Sequence, residues 1–155
     1  MPSLIFFEVG SQKLAIKTEF ITEIIRAVAI TRLPELLPPF TGVINYRGKV
    51  VPVIRMGDLP GFKSQATELS GYMLVIDNGT LTGLCLVVDQ VTAFKTVDEL
   101  LPVAELDNPG IQSRLTPEIV KLETELVPVL DISIVSKPAA TILERPEVST
   151  TNRLN

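Results

Sequence analysis

The sequence predicts a mainly β protein built as two small, closed or nearly closed barrels packed side by side. Three observations predict it. Apolar runs of strand length, rich in Val, Ile and Phe and bounded by turn-forming residues, follow one another from Leu4 to Val135. Thr41 to Leu59 reads as a β-hairpin, with Gly42 to Tyr46 and Val50 to Met56 around an Arg47-Gly48-Lys49 turn, and Pro117 to Val135 repeats it more weakly. Both copies carry Val-Pro-Val in the second strand, at Val51 to Val53 and at Val127 to Val129. The two halves, residues 4–59 and 72–135, each supply about five short strands. Open sheets of that size leave edges exposed, and closure removes them. A single sandwich is the alternative.

The elements follow in order. Leu4 to Val9 and Leu14 to Lys17 flank Gly10-Ser11-Gln12-Lys13 and predict a hairpin. In Thr18 to Ala27, Ile21, Ile24 and Ile25 fall at i, i+3 and i+4, so the spacing predicts a short amphipathic helix with Thr18 as N-cap. The β-branched isoleucines suit a strand as well. Ala27 to Arg32 reads as a short strand, and Leu33 to Pro39 as a proline-stiffened connection in which no helix continues. Gly57 to Gly71 is polar and turn-rich, the expected surface loop between the halves. Tyr72 to Asp77 and Thr80 to Asp89 flank Asn78-Gly79, a residue pair suited to the positive φ of a tight hairpin. Gln90 to Val97 continues as strand, with Val91-Thr92 in the place of Ile21-Thr22. Asp107 to Gly110 marks a turn, and Thr116-Pro117 opens the second hairpin. Ser136 to Asn155 holds two prolines and few large apolar residues, and a disordered tail is expected there.

Composition narrows the function. With 155 residues and a 46% hydrophobic fraction the chain is long enough to bury a core. Its net charge of −4 supplies no basic field for a phosphate backbone, so nucleic acid is not an expected partner. Histidine is absent and Cys85 is the one cysteine, which excludes Ser-His-Asp and Cys-His arrangements and thiolate- or imidazole-rich metal sites. A lone cysteine inside the apolar run Leu84 to Val88 reads as a buried side chain in a reducing, cytoplasmic setting. Met1-Pro2-Ser3 carries no basic leader and the apolar runs are too short to span a bilayer, so neither targeting nor membrane insertion is expected.

Among side chains with chemistry, Asp77, Asp89, Asp98 and Glu99 are the remaining acid/base candidates, and two facing carboxyls would suit a hydrolase. Gly42, Gly48, Gly57 and Gly61 match no phosphate-binding fingerprint. Arg47 stands apart. A cation at a hairpin tip is usually a solvated charge, but its planar donor fork also suits a carboxylate on another protein.

Gly42 to Ile54, Gly-Val-Ile-Asn-Tyr-Arg-Gly-Lys-Val-Val-Pro-Val-Ile, resembles the signature of the CheW-like coupling proteins of bacterial chemotaxis. Phe6 to Gly10, Ile21 to Ile25, Thr31 to Pro34 and Gly83 to Val91 fall in the order and spacing of that family, so the resemblance spans about residues 4–135. It implies two intertwined SH3-like five-stranded barrels with one or two short helices, no catalysis and no cofactor. It also implies two partners, the regulatory domain of a CheA-type histidine kinase and the cytoplasmic tip of a chemoreceptor.

Carried over by position, the resemblance implies partner contacts at Ile21 and Glu23, at Gly42 and Arg47 in the hairpin, and at Gly83, Asp89 and Val91. For Gly42 and Gly83 the competing reading is a bulge or close backbone approach, and for Ile21 and Val91 it is burial. The sequence departs from the family pattern in three respects. Arg55 replaces the usual Asp, Tyr46 replaces the usual Leu and brings a hydroxyl that needs a partner, and Glu118 with Glu123-Thr124-Glu125 replaces glycine-containing positions. A receptor-independent kinase scaffold or inhibitor is the alternative function, with a carboxylate-based hydrolase behind it. A pilus-based motility pathway fits as well as flagellar chemotaxis.

Overall fold

In a computed structural model, described here for residues 1–59, 61–62, 70–76, 83–105 and 114–132, the strands form a six-stranded and a five-stranded sheet. The strands are β1 (Ser3–Val9), β2 (Gln12–Lys17), β3 (Ile21–Arg26), β4 (Gly42–Tyr46), β5 (Lys49–Arg55), β6 (Tyr72–Ile76), β7 (Leu84–Val88), β8 (Gln90–Thr96), β9 (Leu101–Pro102), β10 (Glu118–Lys121) and β11 (Leu126–Val129). The first sheet runs β8-β1-β2-β11-β10-β9 and the second β3-β6-β7-β5-β4. The halves of the sequence therefore exchange strands. The first sends β1 and β2 to one sheet and β3 to β5 to the other, and the second half does the reverse.

The two sheets repeat one plan. An antiparallel pair, β1–β2 or β6–β7, takes a parallel neighbour, β11 or β5. That neighbour pairs antiparallel with β10 or β4, and β8 or β3 closes the other side. Even the irregularities correspond. The β1–β8 register shifts at Phe6/Phe7 opposite Thr92, and the β3–β6 register shifts between Ile21 and Glu23, at Thr22. Ile21-Thr22 and Val91-Thr92, matched in the sequence, are thus equivalent bulges.

Three cores follow from strand alternation. Ile5, Phe7, Val9, Leu14 and Ile16 from one sheet and Leu74, Ile76, Leu84, Leu86 and Val88 from the other fill a central core between the sheets. The alternate residues line the two barrel interiors. Leu4, Phe6, Ala15, Val120, Val127 and Val129 fill the first, and Ile44, Val51, Val53, Met73, Val75, Cys85 and Val87 fill the second. Because β6 and β7 are covered on both faces, they read as unbroken apolar runs.

Two expectations are corrected. Thr18 to Ala27 is not an amphipathic helix: a single 3-10 turn, Thr18–Phe20, leads straight into β3, and Thr18 makes no capping bond. The misleading period has a physical cause. The bulge at Thr22 adds one residue to the strand repeat, so Ile21 opposite Ile76 and Ile24 opposite Leu74 share a face three residues apart. Ala27 to Arg32 is likewise no strand but one bridge, Thr31 to Val43, the counterpart of β9 in the other sheet. The turns expected at Asn78-Gly79 and Asp107 to Gly110, Asp77, most of the 57–71 loop and the tail 136–155 lie outside the described residues.

Candidate protein interaction site

The site is built where the second sheet closes on itself. β3 and β4 are its outermost strands, and five flat strands would hold them about 19 Å apart. Instead Arg47 Nη2 lies 2.7 Å from Glu23 Oε1. Ile25 of β3 and Tyr46 of β4 also pack on the same interior core. The sheet is therefore curled into a barrel, and Glu23, Tyr46 and Arg47 mark its seam.

Local sequence sets each of these side chains. The Thr22 bulge turns Glu23 to the face opposite Ile21, level with Val75 of the barrel interior. At the β4–β5 turn both loop residues have positive φ, 52° at Arg47 and 84° at Gly48, as a type I′ hairpin requires. The Gly48 N–H donates to Asn45 Oδ1 at 2.9 Å and pins the turn. Arginine is an unusual choice at a left-handed position, and local strain of this kind concentrates at functional sites.

Glu23 Oε1 accepts from two donors, the Tyr46 hydroxyl and Arg47 Nη2. The guanidinium lies over the Tyr46 ring, 5.2 Å from its centroid, within cation–π range. The Tyr46 phenol pKa is raised, first because its proton is shared with the Glu23 carboxylate; the Arg47 cation pulls the other way. Arg47 remains 71% exposed and Glu23 35%, so most of the guanidinium donors face outward. Ile24 of β3 and Val50 of β5 are exposed on the outer face of the same sheet.

The other residues carried over by position lie elsewhere. Ile21 and Val91 occupy equivalent places on β3 and β8, both partly buried against the central core. Gly42 is buried, and a Cβ there would meet Thr31 O at 2.4 Å, so it is a close backbone approach. Gly83 has φ of 102° and enters β7 beside the Ile76 carbonyl. Asp89 ties the two sheets: its Oδ2 accepts from the Gly10 N–H at 2.6 Å and its own N–H donates to Glu8 O at 2.9 Å. Structure thus unites Glu23 with Arg47 and adds Tyr46, whose hydroxyl was legible in the sequence as a group needing a partner.

The departures find local compensation. Arg55 Nη1 lies 3.9 Å from Asp58 Oδ1, so a carboxylate three residues on faces the reversed charge. Glu118 pairs with Lys17 at 3.5 Å and Glu125 with Lys13 at 3.3 Å. The equivalent seam of the first barrel has Ala93 in the place of Glu23. A cleft of about 170 Å3 opens there among Phe6, Lys13, Thr92, Lys95, Leu122 and Glu125.

Two strand-exchanged barrels sharing one core make up the module, and an exposed arginine is held at the seam of the second. The CheW-like domain family matches residues 3–138, and the chain belongs to that family of non-catalytic chemotaxis scaffolds. It is 28% identical over 134 residues to a chemotaxis protein CheW from Helicobacter pylori (strain ATCC 700392 / 26695), covering 84% of this chain and 79% of that protein. The crystal structure of the scaffolding protein TtCheW from Thermoanaerobacter tengcongensis superposes with a TM-score of 0.72 at 22% identity, over 85% of this chain and 86% of that one. The fold is therefore that of the CheW scaffolds. Among the described residues no helix is long and apolar enough to cross a membrane.

Proposed function

We propose that this protein is an adaptor that couples the cytoplasmic tip of a chemoreceptor to the regulatory domain of a CheA-type histidine kinase, and so works in the cytoplasm. The observation that carries the reading is Arg47, a cation 71% exposed at the seam of one barrel yet oriented by Glu23 and Tyr46. An oriented, solvent-facing fork has the makeup of an interface charge that sets register, and Ile24 and Val50, exposed on β3 and β5, offer apolar area on the outer face of the same sheet. Membership of a chemotaxis scaffold family supplies the class of partner. Within this reading Glu23 and Arg47 meet the partner directly. Ile21, Val91, Gly42, Gly83 and Asp89 shape the strands and barrel packing that present them.

The test is reconstitution of kinase, receptor fragment and this protein. Coupling predicts that kinase activity responds to the receptor only when all three are mixed. A change in kinase activity produced by the protein with no receptor present would instead mark a receptor-independent scaffold or inhibitor.

A further inference from the structure

We propose that Tyr46 is the positioning residue of this surface, holding Glu23 by its hydroxyl and Arg47 by its ring so that the guanidinium is presented in one orientation. The inference rests on the interaction reading of the seam and names what makes that seam work in this chain. Three contacts converge. The Tyr46 hydroxyl and Arg47 Nη2 share Glu23 Oε1, and the guanidinium lies 5.2 Å above the Tyr46 ring. Tyr46 itself is anchored, because it closes β4 opposite Lys49 and packs on the interior core with Ile25.

An arginine at the tip of a two-residue turn has only solvent around it unless something beneath it is fixed. Exposed ion pairs alone hold such a side chain poorly, because the gain is offset by lost rotamer freedom. Here the ring supplies a floor, and the hydroxyl keeps Glu23 from swinging off the edge strand. With Oε1 serving both internal donors, Oε2 and the outer guanidinium N–H groups are left to face a partner. A fork oriented before encounter loses less freedom on binding, which is how preorganisation raises affinity. The raised phenol pKa agrees with a hydroxyl donating to a carboxylate.

The test uses the full-length protein in two parts. In the first, with no partner present, side-chain 15N relaxation of Arg47 Nε is compared between the parent, Tyr46→Phe and Tyr46→Leu. Rigid Nε in the parent, looser in Tyr46→Phe and loosest in Tyr46→Leu is the expected order; equal motion in all three overturns the proposal. Tyr46→Phe keeps the ring and its packing, so a thermal midpoint near the parent's shows that the fold is intact. In the second, binding to a CheA-type kinase regulatory domain is measured in a double-mutant cycle. Tyr46→Phe is expected to weaken binding about threefold to tenfold, and the loss to vanish when Arg47 is already Ala. A loss of the same size in both backgrounds would show that Tyr46 acts without Arg47. If the parent does not bind the kinase domain at all, the adaptor reading falls, and the relaxation comparison still decides the role of Tyr46.

Discussion

Glu23 stands on one edge strand of a five-stranded sheet and Arg47 at the turn that follows the opposite edge strand, and their side chains meet at 2.7 Å. The pair spans a barrel seam while leaving the Arg47 side chain 71% exposed, so its loss is expected to cost little stability. Exposed pairs of this kind are worth about 0.2–1 kcal/mol. Glu23→Gln, which keeps an amide oxygen to accept from the Tyr46 hydroxyl, is therefore expected to lower unfolding free energy by about that much, as read by urea denaturation, while kinase binding weakens severalfold.

The turn itself gives a second expectation. Arg47 has φ of 52°, a conformation that costs a side-chain-bearing residue about 1 kcal/mol relative to glycine. Arg47→Gly and Arg47→Ala both remove the charge, but only the first relieves the backbone. Chemical denaturation should find Arg47→Gly the more stable of the two by about 1 kcal/mol, with neither variant coupling. Equal stabilities would mean that the turn relaxes when the arginine is removed.

Gly42 tests the close approach beside the hairpin. A Cβ there would sit 2.4 Å from Thr31 O and 2.6 Å from Ile30 Cγ2, and the first of these is backbone that has little room to move. Gly42→Ala is expected to destabilise the protein by about 1–3 kcal/mol through overpacking. Loss of binding by this variant would then follow stability, and a thermal melt beside the binding assay distinguishes that from loss of a contact.

Burial pushes the Cys85 thiol up from 9.0 to about 12. A group whose folded pKa lies above its unfolded value adds stability that is complete below the unfolded pKa and lost as pH rises through the folded one. The Cys85 contribution is thus present to about pH 9 and declines toward pH 12. Cys85→Ala should flatten that part of the stability profile while lowering stability at neutral pH through the cavity it leaves. The native thiol should react with a disulfide reagent only as fast as the protein opens.

Strand exchange makes the halves interdependent. Fragments 1–62 and 63–155 each hold strands of both sheets, so neither contains a complete barrel interior. Each alone is expected to show no cooperative unfolding by circular dichroism, and their mixture to regain it. A cooperative transition in either fragment would show that a half can close on its own.

Legibility in the sequence varied with how local the cause was. The β1–β2 and β4–β5 hairpins and the β10–β11 repeat were readable because each is set by residues a few positions apart. The Val-Pro-Val repeat disclosed an internal duplication, but exchange of strands between the halves depends on pairings such as Val53 to Cys85 and Val129 to Ala15, distant along the chain. The helix expected over Thr18 to Ala27 failed because a bulged strand imitates helical spacing at Ile21 and Ile24. Within the site, Arg47 and Glu23 were identified by family pattern. Tyr46 was visible only as a departure needing a hydrogen-bond partner, because nothing in the sequence brings β3 beside β4.

The central claim, that Arg47 is the contact through which this scaffold engages its kinase, is tested most directly by a calorimetric titration. A purified CheA-type regulatory domain is titrated with the parent protein and with Arg47→Glu, both checked for equal thermal midpoints. An interfacial arginine that anchors binding predicts saturable binding by the parent and a loss of about thirtyfold or more on charge reversal. Equal affinity of the two proteins would contradict the account.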